Sequence, residues 1–150
     1  MGAVVHRLAT HDDAPRLFEV RRRSILELAP RGMSIANAEA WAAQLNLAGM
    51  ERKLREQEIW IAEAEGVVAG WGGIRGDTLE SLYTAPEYAG QGVGAALLDR
   101  LEGLMRGRGF ETVRAEASPN AMGFYLRRGY RVTGSLTPVG AWPIARQLST

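Results

Sequence analysis

Between residues 59 and 84 the chain reads as three strands in immediate succession, and this run constrains the fold more than any other feature. Residues 59–64, 67–74 and 79–84 are short runs rich in apolar and β-branched side chains, divided by Glu65-Gly66 and Gly76-Asp77. Pairs of turn residues at that spacing make tight connections, and tightly connected strands pair antiparallel. Gly72 and Gly73 weaken the second strand and predict a bulge or a close approach by a ligand.

On either side of this meander the period becomes helical. Residues 3–9 read as a first strand, and Thr10, with Asp13 three residues on, caps the next helix. That helix carries Ala14, Leu17, Phe18, Ile25 and Leu28 as one buried stripe, and Pro30 and Gly32 break it. A second helical stretch covers about 35–47, and a short charged helix follows near 51–57. After the meander, Leu97, Leu98, Leu101, Leu104 and Met105 mark a helix over about 92–106, with Gly109 placed to end it. Then come a strand at 112–117, a helix at 119–128, and strands at 131–135 and 144–148. The expected order of main elements is β-α-α-β-β-β-α-β-α-β-β. This is an α/β chain of the α+β type, a mixed and largely antiparallel sheet flanked by helices. With no repeat or linker in sight, residues 1–150 are expected to form a single domain.

Composition removes several classes of function. A net charge of +1 makes no case for nucleic acid, and the densest basic patch, Arg21, Arg22 and Arg23, reads as a solvated helix face. The chain has no cysteine, which excludes disulfides and thiol chemistry. Its two histidines, His6 and His11, form no ligand-spaced cluster, so no metal is expected. Apolar stretches are too short to span a bilayer and no secretory leader is visible, so a cytoplasmic protein without a membrane partner is expected.

The segment most informative about chemistry is Pro86-Glu87-Tyr88-Ala89-Gly90-Gln91-Gly92-Val93-Gly94, between the third meander strand and the long helix. Three alternating glycines at a strand-to-helix turn leave no side chains over the loop. The free amides of the helix's first turn then face open space, where the helix dipole favours negative charge. A phosphate or pyrophosphate site is the physical expectation. Three readings fit the loop itself: a glycine turn that only caps a helix, a dinucleotide site, or a coenzyme A pyrophosphate loop. Gly90, Gly92 and Ala95 match the relaxed dinucleotide spacing, but that motif normally follows the first strand of a larger fold.

With its surroundings, the loop resembles the acyl-CoA motif of the GNAT acetyltransferases. Leu82-Tyr83-Thr84 ends the preceding strand, as an L-Y-V-like triplet does in that family, and Gly92 and Gly94 match the two motif glycines. Ala89 stands where Arg or Gln is usual. Downstream, the Phe124-Tyr125 pair followed by Gly129-Tyr130 is similar to the family's second cofactor segment. The family's usual Asn position is occupied by Ser118, and Asn120 lies two residues on, as in a subgroup with S-x-N-A-x-x-F-Y. Ser118-Pro119 also reads as a plain helix start.

The resemblance implies acetyl-CoA as cosubstrate, without a metal, and transfer of the acetyl group to a primary amine of a small molecule, protein or peptide. The backbone of Leu82, Tyr83 and Thr84, the loop from Gly90 through Gln91, Gly92, Val93 and Gly94 to Ala95, and Asn120 with Tyr125 would bind the cofactor. Tyr125 matches the tyrosine that protonates the departing sulfur; the alternative is that it packs beside Phe124. Glu80 and Glu116 are rival bases, and each also reads as an ordinary strand glutamate. Strand alternation places Glu80, Leu82 and Thr84 on one face and Leu79, Ser81 and Tyr83 on the other. Trp41 and Trp142 are candidate walls of an acceptor pocket, Trp41 at core-like helical spacing and Trp142 in a late loop. A non-catalytic acyl-CoA-binding module would carry the same loop. By analogy with the family, a homodimer through the last strands is an open arrangement.

Overall fold

The computed structural model describes residues 3–148. In chain order its main elements are β1 (Val4–Leu8), α1 (Ala14–Glu27), α2 (Ile35–Ala43), α3 (Leu47–Glu56), β2 (Glu58–Ala64), β3 (Val67–Arg75), β4 (Thr78–Thr84), α4 (Val93–Gly107), β5 (Thr112–Ala117), α5 (Met122–Arg127), β6 (Arg131–Val132) and β7 (Trp142–Gln147). One seven-stranded sheet runs β1-β2-β3-β4-β5-β7-β6. Every pairing is antiparallel except β4 with β5.

Three helices, rather than the two in the expected order, separate β1 from β2. Asn46 is the reason: its side chain accepts from the Gly49 amide at 2.8 Å and starts α3 four residues ahead of the charged stretch. The chain therefore leaves α2 at Ala43 instead of continuing to residue 47. The last strands also differ. The expected strand at 131–135 shrinks to two residues, and β7 begins at Trp142.

Side-chain alternation along β2 builds the two layers. Ile59 and Ile61 pack with Leu17, Met50 and Trp71 beneath α1 and α3, while Ala62 and Ala64 meet Val93 and Leu97 of α4. Trp71 is fully buried, and its indole N–H donates to the Leu17 carbonyl at 3.0 Å, so the ring leaves no polar group unsatisfied. The strand glycines serve helix packing. A Cβ on Gly72 would sit 2.8 Å from Leu101 of α4, and one on Gly73 would sit 2.1 Å from Gln57. The close approach expected there is made by the protein's own helices, and a bulge lies beside it, where the β3–β4 register shifts between Gly73 and Ile74.

β1 is fastened by an ionic clamp. Arg7 donates to both oxygens of Asp13 at 2.9 Å and to Glu63 at 3.0 Å, while Asp13 also accepts the Thr10 amide at 2.8 Å. These bonds, that from Arg7 foremost, pull the Asp13 carboxyl from 3.8 down to about 2. A lowered carboxylate pKa stabilises the fold at every pH above the unfolded value, and that contribution vanishes as pH falls through the folded value. With Arg7 one-third exposed, the clamp is worth about 1–2 kcal/mol after solvent screening. Urea midpoints should therefore fall between pH 4 and pH 2, and Asp13→Asn should be less stable at pH 6 and flatter across that window. Parallel curves for the two proteins would show that the clamp contributes nothing.

Candidate active site

The glycine loop forms the first wall of the site. Gly90 and Gly92 have φ of 75° and 83°, in the left-handed region that other residues enter only with strain. A Cβ at either would meet nothing within 4 Å, so the loop faces open space. The first hydrogen bond of α4 runs from Ala96 N–H to Gly92 C=O at 3.0 Å. Among the described residues, none of the backbone amides from Gly90 to Ala95 has a hydrogen-bond acceptor. No side chain caps the helix either. Gln91 turns away, its amide donating to the Glu87 carbonyl at 3.1 Å. Arg23 of α1 grips Glu87 with both terminal nitrogens, at 3.1 and 2.6 Å, and ties the approach to the loop. A run of free amides at a helix N-terminus is a cradle for phosphate.

The second wall is a gap in the sheet. β4 and β5 are in register only at Thr78 with Arg114, and beyond that point β4 has no partner on its β5 side. Leu82, Tyr83 and Thr84 lie along this free edge and lead to the glycine loop. Gly94 sits over the strand end, where a Cβ would be 3.3 Å from Thr84 Oγ1.

Tyr125 of α5 is 6% exposed and packs edge-on against Phe124 and Tyr130, with centroids 5.2 Å apart in both pairs. Its hydroxyl makes no hydrogen bond to a described residue. Burial first, then Tyr83 and Glu102, pushes the phenol well above its ordinary value. It keeps its proton at neutral pH. Tyr130 differs: its hydroxyl donates to buried Glu102 at 2.6 Å, and Glu102 also accepts from Arg146 at 2.6 Å.

The third part is a cavity of about 370 Å³ on the α1–α3 side of the sheet, lined by Arg21, Trp41, Lys53, Gln57, Arg75 and Glu80 among others. Glu80 reaches it because of the bulge. Gly73 pairs with Ser81 and Ile74 with Leu79, leaving Glu80 as the extra residue. The expected alternation holds from Ser81 to Thr84 and is broken at Leu79 and Glu80, which exchange faces. Leu79 and Leu82 pack in the α4 core, whereas Ser81 bonds Gln57 and Glu80 turns into the cavity, paired with Arg75 at 3.1 Å. Tyr83 lies on the cavity side too, its ring 5.2 Å from Trp71 and its hydroxyl accepting from Arg21 Nε at 3.2 Å.

Other candidates fall apart from this group. Glu116 is exposed on β5, opposite Pro143, and does not line the cavity. Trp142 is in a strand rather than a loop, paired with Ala117 and packed against the α4 core. Ser118 does not cap a helix with its side chain. The helix starts at Met122, and Ser118 Oγ donates to Asn120 Oδ1 at 2.6 Å. Asn120 is pressed from behind by the turn after α1, since a Cβ on Gly32 would lie 2.3 Å from Asn120 Cα. Its amide nitrogen has no partner among the described residues.

Sequence reading missed Arg21 and Lys53. As one of three adjacent arginines Arg21 reads as solvated, but it stands four residues after Leu17 and four before Ile25, on the buried stripe of α1. That spacing was the available signal. Among the described residues no group of three or more His, Cys, Asp or Glu is placed to hold a metal, and no helix is long and apolar enough to cross a membrane.

The sheet is thus seven-stranded with one parting parallel pair, and the N-terminus of α4 lies beside the end of β4. The family model described as "Acetyltransferase (GNAT) domain" matches residues 27–140. The chain belongs to this family and is an acetyl-CoA-dependent N-acetyltransferase. Among characterised relatives, it is 27% identical over 129 residues to the peptidyl-lysine N-acetyltransferase YjaB of Salmonella typhimurium, covering 85% of this chain and 83% of that one. A GCN5-related N-acetyltransferase from Rhodopseudomonas palustris superposes with a TM-score of 0.87 at 29% identity, covering 98% of this chain and 97% of that one. The PaiA N-acetyltransferase of Thermoplasma acidophilum, solved with coenzyme A, shares the fold with a TM-score of 0.78 at 21% identity, over 97% and 99% of the two chains.

Proposed function

We propose that residues 1–150 act as a single domain that transfers the acetyl group of acetyl-CoA directly to a primary amine, with Tyr125 as the acid and Glu80 as the base. The observation that carries this reading is the run of unpaired amides from Gly90 to Ala95, adjoining the free edge of β4. Those amides would hold the pyrophosphate. The free β4 edge at Leu82–Thr84 and the Asn120 amide would bond the amide groups of the pantetheine arm, and a β4 N–H would polarise the thioester carbonyl. The thioester supplies an activated acyl group and a thiolate that can leave.

An alkyl amine titrates near ~10.4 and arrives as ammonium at neutral pH. Glu80 is favoured over Glu116 because it lines the cavity, while Glu116 does not. There it takes a proton from the bound ammonium, directly or through water, so that the neutral amine can attack the thioester; the nitrogen then loses its second proton, to solvent or to the departing thiolate, as the amide forms. Trp41 walls the same cavity and is the preferred acceptor contact, whereas the core packing of Trp142 supports no such role. Tyr125 donates to the sulfur as negative charge builds on it.

Gly92→Asp tests the cradle. Asp tolerates the left-handed conformation, and its side chain enters open space, so the fold should survive. Its carboxylate would face the phosphates, where like charges cost several kcal/mol. Calorimetric titration should show acetyl-CoA affinity reduced at least tenfold, and less for Gly92→Asn. Unchanged affinity in Gly92→Asp would place the cofactor elsewhere.

A further inference from the structure

The acceptor cavity holds more positive charge than it can neutralise. Four cations line it, Arg21, Arg52, Lys53 and Arg75, against two carboxylates, Glu56 and Glu80. Arg75 pairs with Glu80 at 3.1 Å and Arg52 approaches Glu56 at 3.8 Å. Arg21 and Lys53 remain. Arg21 spends only its Nε on a neutral partner, the Tyr83 hydroxyl, and its ring-stacked position over Tyr83 holds the guanidinium in place. Among the described residues neither Arg21 nor Lys53 has a carboxylate within ion-pair distance, and Lys53 makes no side-chain hydrogen bond at all.

Two unpaired cations on the wall of a small cavity carry a desolvation and repulsion cost that an anion would relieve. Burial first, then the neighbouring Arg21, lowers the Lys53 pKa, and Glu80 and Glu56 only partly oppose this.

We infer that the acceptor is a small primary amine bearing an anionic group of its own, a carboxylate or a phosphate, which Arg21 and Lys53 bind while Glu80 receives the amine. The inference rests on the acetyl-transfer reading just given. It accounts for the cavity's polarity: a simple alkyl amine, itself cationic, would be repelled by the same wall. Lys53 is the only lysine of the chain, so its substitution is clean to interpret.

The test is a panel of matched pairs: amino acids against their carboxamides, and O-phosphoethanolamine against ethanolamine. Turnover is followed by release of free CoA thiol, and binding by calorimetry in the presence of CoA, which needs no turnover. The anionic member of at least one pair should exceed its neutral partner at least tenfold in kcat/KM or affinity. Whichever pair responds separates carboxylate from phosphate. Lys53→Gln and Arg21→Gln should each erase most of that preference, and Lys53→Arg should keep it, with acetyl-CoA affinity within twofold for the Lys53 variants. Equal handling of charged and neutral partners, a preference that survives both glutamine variants, or no binding of any anionic amine by a protein that still binds acetyl-CoA would each overturn the inference. Failure to bind acetyl-CoA would instead overturn the acetyl-transfer reading, and the amine titrations would still decide the anion question.

Discussion

Tyr125→Phe should lower kcat on the order of 10²-fold while leaving the KM for acetyl-CoA within a few-fold and the melting temperature nearly unchanged. The three parts of this expectation have separate causes. On the proposed mechanism the rate falls because the Tyr125 hydroxyl is the donor to the departing sulfur. A raised phenol pKa makes Tyr125 a firm donor at all physiological pH, and full proton transfer to a thiolate of pKa near ~8.5 is uphill. Its contribution in the proposed mechanism would therefore be a hydrogen bond that strengthens as charge develops, which affects the transition state more than the ground state. Stability is spared because the hydroxyl has no partner among the described residues, so its removal orphans nothing. Packing of the ring between Phe124 and Tyr130 is kept by phenylalanine. Steady-state kinetics beside a thermal melt decides the matter: intact turnover would remove Tyr125 from the mechanism, and a large loss of stability would make it a core residue first.

The parts of this architecture visible in the sequence were those set by local chemistry. Two turn pairs announced the meander, the alternating glycines announced the loop, and the leucine stripe announced α4. Each depends on residues within one element. What escaped depended on contacts between elements. The extra residue at Glu80 follows from how β3 and β4 slide past one another, and nothing in Thr-Leu-Glu-Ser-Leu-Tyr-Thr marks which residue will be squeezed out. One bulge sent Leu79 and Ser81 to opposite faces and delivered Glu80 to the cavity. Ser118-Pro119 carried a valid helix-start signal, but the chain spends residues 119–121 in a turn that meets Gly32, from nearly ninety positions upstream. The Ser118 carbonyl still accepts the Ala121 and Met122 amides, so the backbone meets the signal while the side chain turns to Asn120.

Arg21 shows the same limit from the other side. Its helical phase matched the buried stripe, yet composition alone made it one of three adjacent arginines. Arg23 reaches the loop through Glu87, Arg22 lies in solvent with Glu19, and Arg21 lines the cavity. Three identical residues acquire three roles because successive helical positions point about 100° apart. Among the candidate residues, Glu80, Trp41 and Tyr83 fall on the cavity side with Arg21, whereas Trp142 and Glu116 lie on elements that do not contribute to it.

Removing Glu102 should destabilise the protein by about 2–4 kcal/mol, because it leaves the buried Tyr130 hydroxyl without its acceptor and the one-third-exposed Arg146 without its counter-charge. Glu102 sits on α4 with its side chain 3% exposed, and both oxygens are engaged, by Tyr130 and by Arg146 of β7 at 2.6 Å each. The triad joins α4, the segment after α5, and β7. It thus holds the last strands against the helix whose other end carries the free amides of the glycine loop. Glu102→Ala strands the Arg146 guanidinium and the Tyr130 hydroxyl together, whereas Tyr130→Phe leaves the Arg146–Glu102 pair intact and should cost only about 1–3 kcal/mol. For a chain of this length, each kcal/mol moves the melting temperature by roughly 2–4 °C, so Glu102→Ala should melt on the order of 10 °C lower. Tyr130→Phe should fall between Glu102→Ala and Tyr125→Phe, the opposite of what their equal standing in the F-Y-x-x-x-G-Y motif implies. Thermal melts of the three variants, with acetyl-CoA affinity measured below each transition, separate the roles. If Glu102→Ala melts with the native protein, the buried triad contributes nothing net. If it keeps its melting temperature but loses acetyl-CoA binding, Glu102 belongs to the site rather than to its scaffold.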